Sequence, residues 1–373
     1  MRTRETARPY LFAFGSLALA TGLAFAATGR PDAAPAPLAA AAPIEEVAPP
    51  APPLPTELPT WASALPGDDG LADATRDAIQ HESRAFVKAL PEESPLRAAL
   101  FAKLAGAPRC GRAHAAAVAG AFSEATAREI ERTLAAMKTS CDEVIVEAAG
   151  FTPNADASLA ARLDGLVSGH GEEASRRAAL LSYGSLGETA RRSGDGELAK
   201  TIDARLVSAL ASSKGEGHVL AVKAAGNAGC VACAPTLAED ARSKDLGLRR
   251  AAVAAHRFLD DAPAVAAMCG ALEKDADDAV RDMAAWALEW RGAAPEARAA
   301  CLEKAARKDP SKRVRMQATL ALGLLSDEQA PARAALTRLA GDESLDVQAL
   351  AARSLEVRGA VPAPLLAAAD EGE

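Results

Sequence analysis

The sequence predicts an all-α protein, an α-solenoid of helical hairpins with an N-terminal helical cap, and three observations carry that prediction. About a quarter of the 373 residues are Ala, and the aromatic residues are only 3 Trp, 2 Tyr and 8 Phe. Ala and Leu interspersed with Arg and Glu carry the strongest helix propensity, whereas a sandwich or barrel draws on β-branched and aromatic residues. Second, a Pro recurs at a spacing of roughly thirty residues in the C-terminal half (Pro235, Pro263, Pro295, Pro331, Pro362), and Pro is tolerated in a first helical turn, where its missing N–H costs nothing. Third, Asp275, Asp309 and Asp342 each precede by six residues the second residue of a Val-Arg or Val-Gln pair that opens an Ala/Leu-rich stretch. The net charge of -8 and the lack of any strongly basic segment argue against nucleic acid as a partner.

Taken in chain order, residues 1–27 read as a signal peptide or an N-terminal membrane anchor. Arg2, Arg4 and Arg8 precede an apolar run from Tyr10 to Ala27, and Ala24-Phe25-Ala26 supplies a small-x-small cleavage pattern ending at Ala26. The run is near the lower length limit of a membrane span, so both readings stand. Membrane contact is expected only through this segment. Residues 28–69 are Pro- and Ala-rich (Pro49, Pro50, Pro52, Pro53, Pro55 and Pro59 among them), which forbids helix and predicts an unpacked linker.

Residues 70–154 are helical by pattern and are expected to cap the array. Ile79, Phe86, Val87 and Leu90 fall on one stripe closed by Pro91, and Thr126 with Glu129 makes a capping box for a helix running to about Lys138. The solenoid proper is expected over 155–373. Its first part contains the helix Leu180-Leu-Ser-Tyr-Gly-Ser-Leu-Gly187, a turn at 193–196, a long helix from Glu197 to Ser212, and Val222-Lys-Ala-Ala-Gly-Asn-Ala-Gly229, followed by Arg249-Arg-Ala-Ala-Val-Ala-Ala-His-Arg-Phe258. That order is similar to the helical domain of the vitellogenin-type large lipid transfer proteins over roughly residues 174–260. The resemblance implies a helical arch and makes lipid a possible ligand, although nothing in the chain supplies the lipid-holding sheets of that family.

Past Asp260 the pattern resembles the HEAT-repeat family, in which a turn Asp and an Arg six residues on form a charge ladder along stacked units. The matching residues are Asp275/Arg281 and Asp309/Arg315, while Asp342 is followed by Gln348 where the Arg would stand. Each planar guanidinium can bridge its own unit and the next, satisfying carboxylates and turn carbonyls. The ladder reads as scaffold.

Six cysteines in an exported chain favour disulfides. Cys110 with Cys141 is the easiest pairing, because both sit in the cap near helix ends. Cys230-Val-Ala-Cys233 sits in a turn at a helix start and reads as a local structural disulfide, with a redox pair as the sharper alternative. Ala234 stands where covalent haem attachment would need His. Cys269 and Cys301 each follow a Pro by six residues in adjacent units. Equivalent positions on neighbouring helices lie near the 8–10 Å interaxial distance, so buried core thiols are favoured over a bridge.

No catalytic constellation, metal site or cofactor motif emerges. His81, His114, His170, His218 and His256 lack ligand spacing and read as surface or helix-end residues. Tyr183-Gly-Ser-Leu-Gly187 lacks the first Gly of a nucleophile elbow and lies within a helical pattern. What remains is a surface. Trp286 and Trp290 lie one turn apart and would either anchor a bound peptide on the concave side or pack between units. The expectation is a non-catalytic exported scaffold, periplasmic or at the cell surface, that binds a protein or peptide on its concave face. The alternatives are a lipid-binding arch and a thiol redox protein using Cys230/Cys233.

Overall fold

The computed structural model describes residues 54–62, 71–107, 110–137, 141–169, 172–259, 261–290, 293–326 and 329–356. The chain divides into Met1–Pro52 and Pro53–Glu373, and only the second unit contains described residues. The signal or anchor segment with Ala26, most of the Pro-rich segment, His170 and Pro362 therefore lie outside them.

Among the described residues there are seventeen α-helices and no strand. They run α1 Asp73–Ala89, α2 Pro95–Ala105, α3 Arg112–Phe122, α4 Ala127–Ala136, α5 Asp142–Ala149, α6 Ala157–Ser168, α7 Glu173–Ser193, α8 Gly196–Ser212 and α9 Gly215–Ala228. They continue α10 Ala234–Asp240, α11 Leu246–Ala255, α12 Ala262–Lys274, α13 Asp278–Ala287, α14 Pro295–Lys308, α15 Lys312–Leu325, α16 Ala330–Leu339 and α17 Leu345–Glu356. Each odd-numbered helix packs on the next odd-numbered one without interruption from α1 to α17, and the even-numbered helices cover one side of that row. The fold is an all-helical, HEAT-like solenoid of two layers.

The helix boundaries follow from local chemistry. Pro occupies the first turn of α2, α10, α12, α14 and α16. Asp156, Asp195, Asp245, Asp261 and Asp277 each cap a helix by accepting a backbone N–H, which satisfies one of the orphan donors of a first turn. Thr126 and Glu129 form the reciprocal capping box of α4. The cap, 70–154, is built from the same hairpins as the rest, since α3 packs on α5 and α5 on α7.

Close helix contact in the odd-numbered layer requires residues without bulk. A Cβ on Gly184 would sit 2.2 Å from the Ala224 carbonyl oxygen, and one on Gly226 would sit 2.5 Å from the Ala255 Cα. These glycines carry α7 against α9 and α9 against α11 at backbone distance, which is why the Tyr-Gly-Ser and Gly-Asn-Ala-Gly runs stand there. Serines supplement the contact. Ser83 Oγ donates to the Ala117 carbonyl at 2.7 Å, and Ser182 Oγ to the Val146 carbonyl at 2.8 Å.

Two expectations are corrected here. Packed structure begins before residue 70: Thr60–Ala62 forms a 3-10 turn that touches α2, and Trp61 is 8 % exposed in the core. Indole burial overrides the Pro-rich context, which restrains the backbone but does not oppose docking of a ring. His114, in the first turn of α3, and His256, the C-cap of α11, are helix-end residues as expected, but both are buried and not at the surface. The His114 Nε2–H donates to the Leu104 carbonyl and the His256 Nδ1–H to the Ala252 carbonyl, so each ring nitrogen that must be a donor finds an acceptor, and burial lowers both pKa values.

Candidate functional site

The charge ladder crosses units. The Arg281 guanidinium donates to both carboxylate oxygens of Asp309 at 2.7 and 3.0 Å, and through Nη1 to the Asp275 and Ala276 carbonyls of its own turn. Arg249 makes the same set one unit earlier, to the Asp275 carboxylate and to the Ser243 and Lys244 carbonyls. Arg315 holds the Asp309 and Pro310 carbonyls. At Asp342 the ion pair comes instead from Arg307 at 3.6 Å. The Asp carboxylates also turn their own loops, accepting the backbone N–H two residues on at Asp277, Ser311 and Ser344. Every member is bonded into the scaffold.

A second set of arginines was not anticipated. Arg97 donates to Val87 and Leu90 carbonyls at the end of α1, Arg298 to the Leu288 carbonyl after α13, and Arg333 to the Ser326 carbonyl after α15. Each closes the C-terminal end of one helix from the first turn of the next, where orphan carbonyls concentrate negative potential. The signal was present as Pro95-Leu-Arg97, Pro295-Glu-Ala-Arg298 and Pro331-Ala-Arg333. Arg97 goes further: it also pairs both Glu129 oxygens at 2.6 Å and the Glu124 carbonyl, so that all five N–H donors are used.

The structure joins Cys110 to Cys141, Cys230 to Cys233 and Cys269 to Cys301, with Cα separations of 4.9, 5.3 and 5.8 Å. The last pair corrects the expectation of buried thiols. Both residues are half-buried on α12 and α14, and they sit on facing sides of the two cylinders. The Cα positions therefore approach by up to about 2.3 Å per helix relative to the axes, with small residues such as Ala266 and Ala297 beside them. At Cys230 and Cys233 the sulfur-bearing residues are 0 % and 1 % exposed. An attacking thiolate has no approach to that bond in the folded chain, which argues for a structural role. Three disulfides belong to an oxidising compartment.

Trp286 lies on α13 and Trp290 just beyond it, both half-buried. Their rings meet edge-on at 5.6 Å, and Trp290 meets Phe258 of the preceding unit at 5.5 Å. Arg257 sits 4.5 Å from the Phe258 ring and 5.5 Å from the Trp286 ring, with Nη2 donating to Asn227 Oδ1 at 2.6 Å. Both tryptophans thus pack between units. Burial pushes the nearby Glu289 carboxyl up to about 7 and lowers Arg257 to about 10. The layer's open side continues onto α15, where Met316, Leu320 and Leu324 follow at helical spacing, and Leu320 and Leu324 are 42 % and 57 % exposed. That face escaped sequence reasoning because α15 is apolar on two sides: Val314, Ala318, Ala321, Leu322 and Leu325 fill the opposite one. Among the described residues no group of three His, Cys, Asp or Glu converges as a metal site, and no helix is long and apolar enough to cross a membrane.

The chain matches no known family model and no curated protein. Among solved structures it is similar to human deoxyhypusine hydroxylase in complex with glycerol, at 17 % identity and a TM-score of 0.30, over 76 % of this chain and 97 % of that one. It is also similar to an engineered protein at 16 % identity and a TM-score of 0.35, over 83 % of this chain and 90 % of that one.

Proposed function

We propose that the chain is an exported, non-catalytic scaffold that holds a protein or peptide partner along the open face of its odd-numbered helix layer. The observation that carries this reading is the exposed apolar strip of Leu320 and Leu324 on α15, the helix that packs on the α13 of Trp286, since paired large aliphatic side chains on an open helix layer are what a hydrophobic anchor requires. The three disulfides support an oxidising destination, and residues 10–27 would deliver the chain to the periplasm or cell surface, either cleaved after Ala26 or retained as an anchor. No cofactor is part of this reading.

The test places a photo-crosslinking residue at Leu320, and in a second variant at Val207 on α8, which is 40 % exposed on the other layer. In the native envelope the Leu320 variant should give discrete protein adducts and the Val207 variant none. Lipid adducts at Leu320 would replace this reading with the lipid-binding arch. Equal labelling at the two positions would remove the open face as the site.

A further inference from the structure

The open face carries cations without ion-pair partners as well as apolar surface. Lys223 on α9 is exposed and Arg250 on α11 is half-buried, and neither has an ion pair among the described residues. The Arg250 Nε is buried without a hydrogen-bond partner. Behind them Arg257 is 8 % exposed and bonds only neutral oxygens, those of Ala254 and Asn227, while its own Nε has no partner. Acids around this region are already engaged or remote from the cations. Glu173 and Glu216 flank Arg177 at 3.9 Å, Asp282 pairs with Arg313 at 2.6 Å, and Glu188 contributes its charge to Arg257. Glu289 is only partly charged near neutral pH, because burial raises its carboxyl to about 7. Burial lowers the Lys223 pKa, and the like charges of Arg177 and Arg250 lower it further. A chain with a net charge of -8 thus leaves Lys223 and Arg250, on neighbouring helices, without an ion pair among the described residues.

From these residues we infer that the partner is an extended peptide segment bearing acidic side chains at one end and large apolar side chains at the other. The carboxylates lie over Lys223 and Arg250, and the apolar residues over Trp286, Leu320 and Leu324. This rests on the scaffold reading and adds the chemistry of its occupant. The spacing is fixed by the helix layer. Each step from one odd-numbered helix to the next is about 8–10 Å, so Lys223 on α9 and Leu320 on α15 are separated by three steps, or about 24–30 Å. An extended chain rises about 3.3 Å per residue, which sets the recognised segment at about eight or nine residues, with an apolar residue about three positions beyond the carboxylate that meets Arg250.

The test uses the full chain and a fluorescein-labelled ten-residue peptide carrying two adjacent glutamates, a phenylalanine three positions after the second and a leucine three positions further on, with its reversed sequence as a second probe. Fluorescence polarisation should show binding that weakens as salt rises from 50 to 300 mM. Replacing both glutamates by glutamine should weaken binding at least tenfold, and Lys223→Glu should do the same to the glutamate peptide while tightening a lysine-substituted one. Arg250→Gln serves beside it, with melting curves and circular dichroism showing that each variant is folded. Leu320→Asp with Leu324→Asp should abolish binding of every peptide. Equal affinity for glutamate and glutamine peptides, or none for either probe, would overturn the acidic-segment assignment. If crosslinking at Leu320 persists in that case, the scaffold reading survives alone, and if that also fails, both fall.

Discussion

At the scale of single residues, Arg97 shows how much of this fold rests on arginine donors. Its side chain is 7 % exposed and that of Glu129 4 %, so neither charge has water to fall back on. Removing one member of such a pair strands the other and costs about 3–5 kcal/mol. Arg97→Ala should lower unfolding stability by that amount, and Arg97→Lys by somewhat less because an ammonium cannot reproduce the fork. Urea titration in a Trp286→Phe, Trp290→Phe background, followed by Trp61 fluorescence, reads this directly, since the Trp61 turn touches α2. Glu289 makes the opposite kind of statement. Its folded pKa, about 7, lies above the ordinary carboxylate value of 4.5 because burial penalises the carboxylate. The folded chain therefore binds more protons there, the favourable contribution is complete below about 4.5, and it is lost as pH rises through 7. Glu289→Gln should flatten the stability profile across that window. His114 and His256 act in the reverse sense: with folded pKa values lowered by burial, they destabilise the fold as pH falls below the ordinary imidazole value of 6.5. These residue environments were the least legible in the sequence. A lone His or Arg in an Ala-rich helix carries no mark of which face it occupies, and the second arginine set emerges only when Pro-x-Arg or Pro-x-x-Arg is read against the carbonyls of the helix before it.

At the scale of helices and their contacts, the sequence was far more explicit. Pro in the first turn, Asp at the cap and Gly at the end each act through the backbone of their own segment, so they can be read without knowing the neighbours. The disulfides could not be read so directly, because Cα separation depends on which sides of two helices face each other. The same distinction separates two kinds of glycine. Gly184 touches the backbone of Ala224, whereas a Cβ on Gly165 in α6 would meet nothing within 4 Å. Gly184→Val should destabilise by at least about 1–3 kcal/mol through overpacking, while Gly165→Ala should stabilise by about 0.4–1 kcal/mol through the reduced entropy of the unfolded chain. Paired thermal melts give both signs. In the chain-entropy model the 32-residue separation of Cys269 and Cys301 corresponds to roughly 3–4 kcal/mol, against roughly 1–2 kcal/mol for the three-residue separation of Cys230 and Cys233. Serine replacement of each pair should reproduce that ranking in denaturant midpoints.

At the scale of the whole array, the buried residues form two clusters that meet near α11, one running from Trp61 to Ala264 and the other from Val253 to Leu355. Stability in a stacked array is a sum of unit terms and nearest-neighbour terms, so unfolding should depart from a single transition. With Trp61 replaced by Phe, the fluorescence of Trp286 and Trp290 reports the second cluster, and helix signal by circular dichroism reports both. The two probes should give non-coincident denaturation curves, and coincident ones would show that the Arg249–Asp275 and Phe258–Trp290 contacts couple the halves completely.

The Cys269–Cys301 bond has a mechanical meaning for such an array. Stacked helices joined by side-chain contacts behave as a spring, in which tension is shared by many small slips between neighbours. A covalent tie between α12 and α14 removes one of those slips from the even-numbered layer, so that stretch at that interval can come only from the opposite layer, as bending. A chain pulled from its ends should lengthen unevenly, and a reductant should release the extra travel at one place.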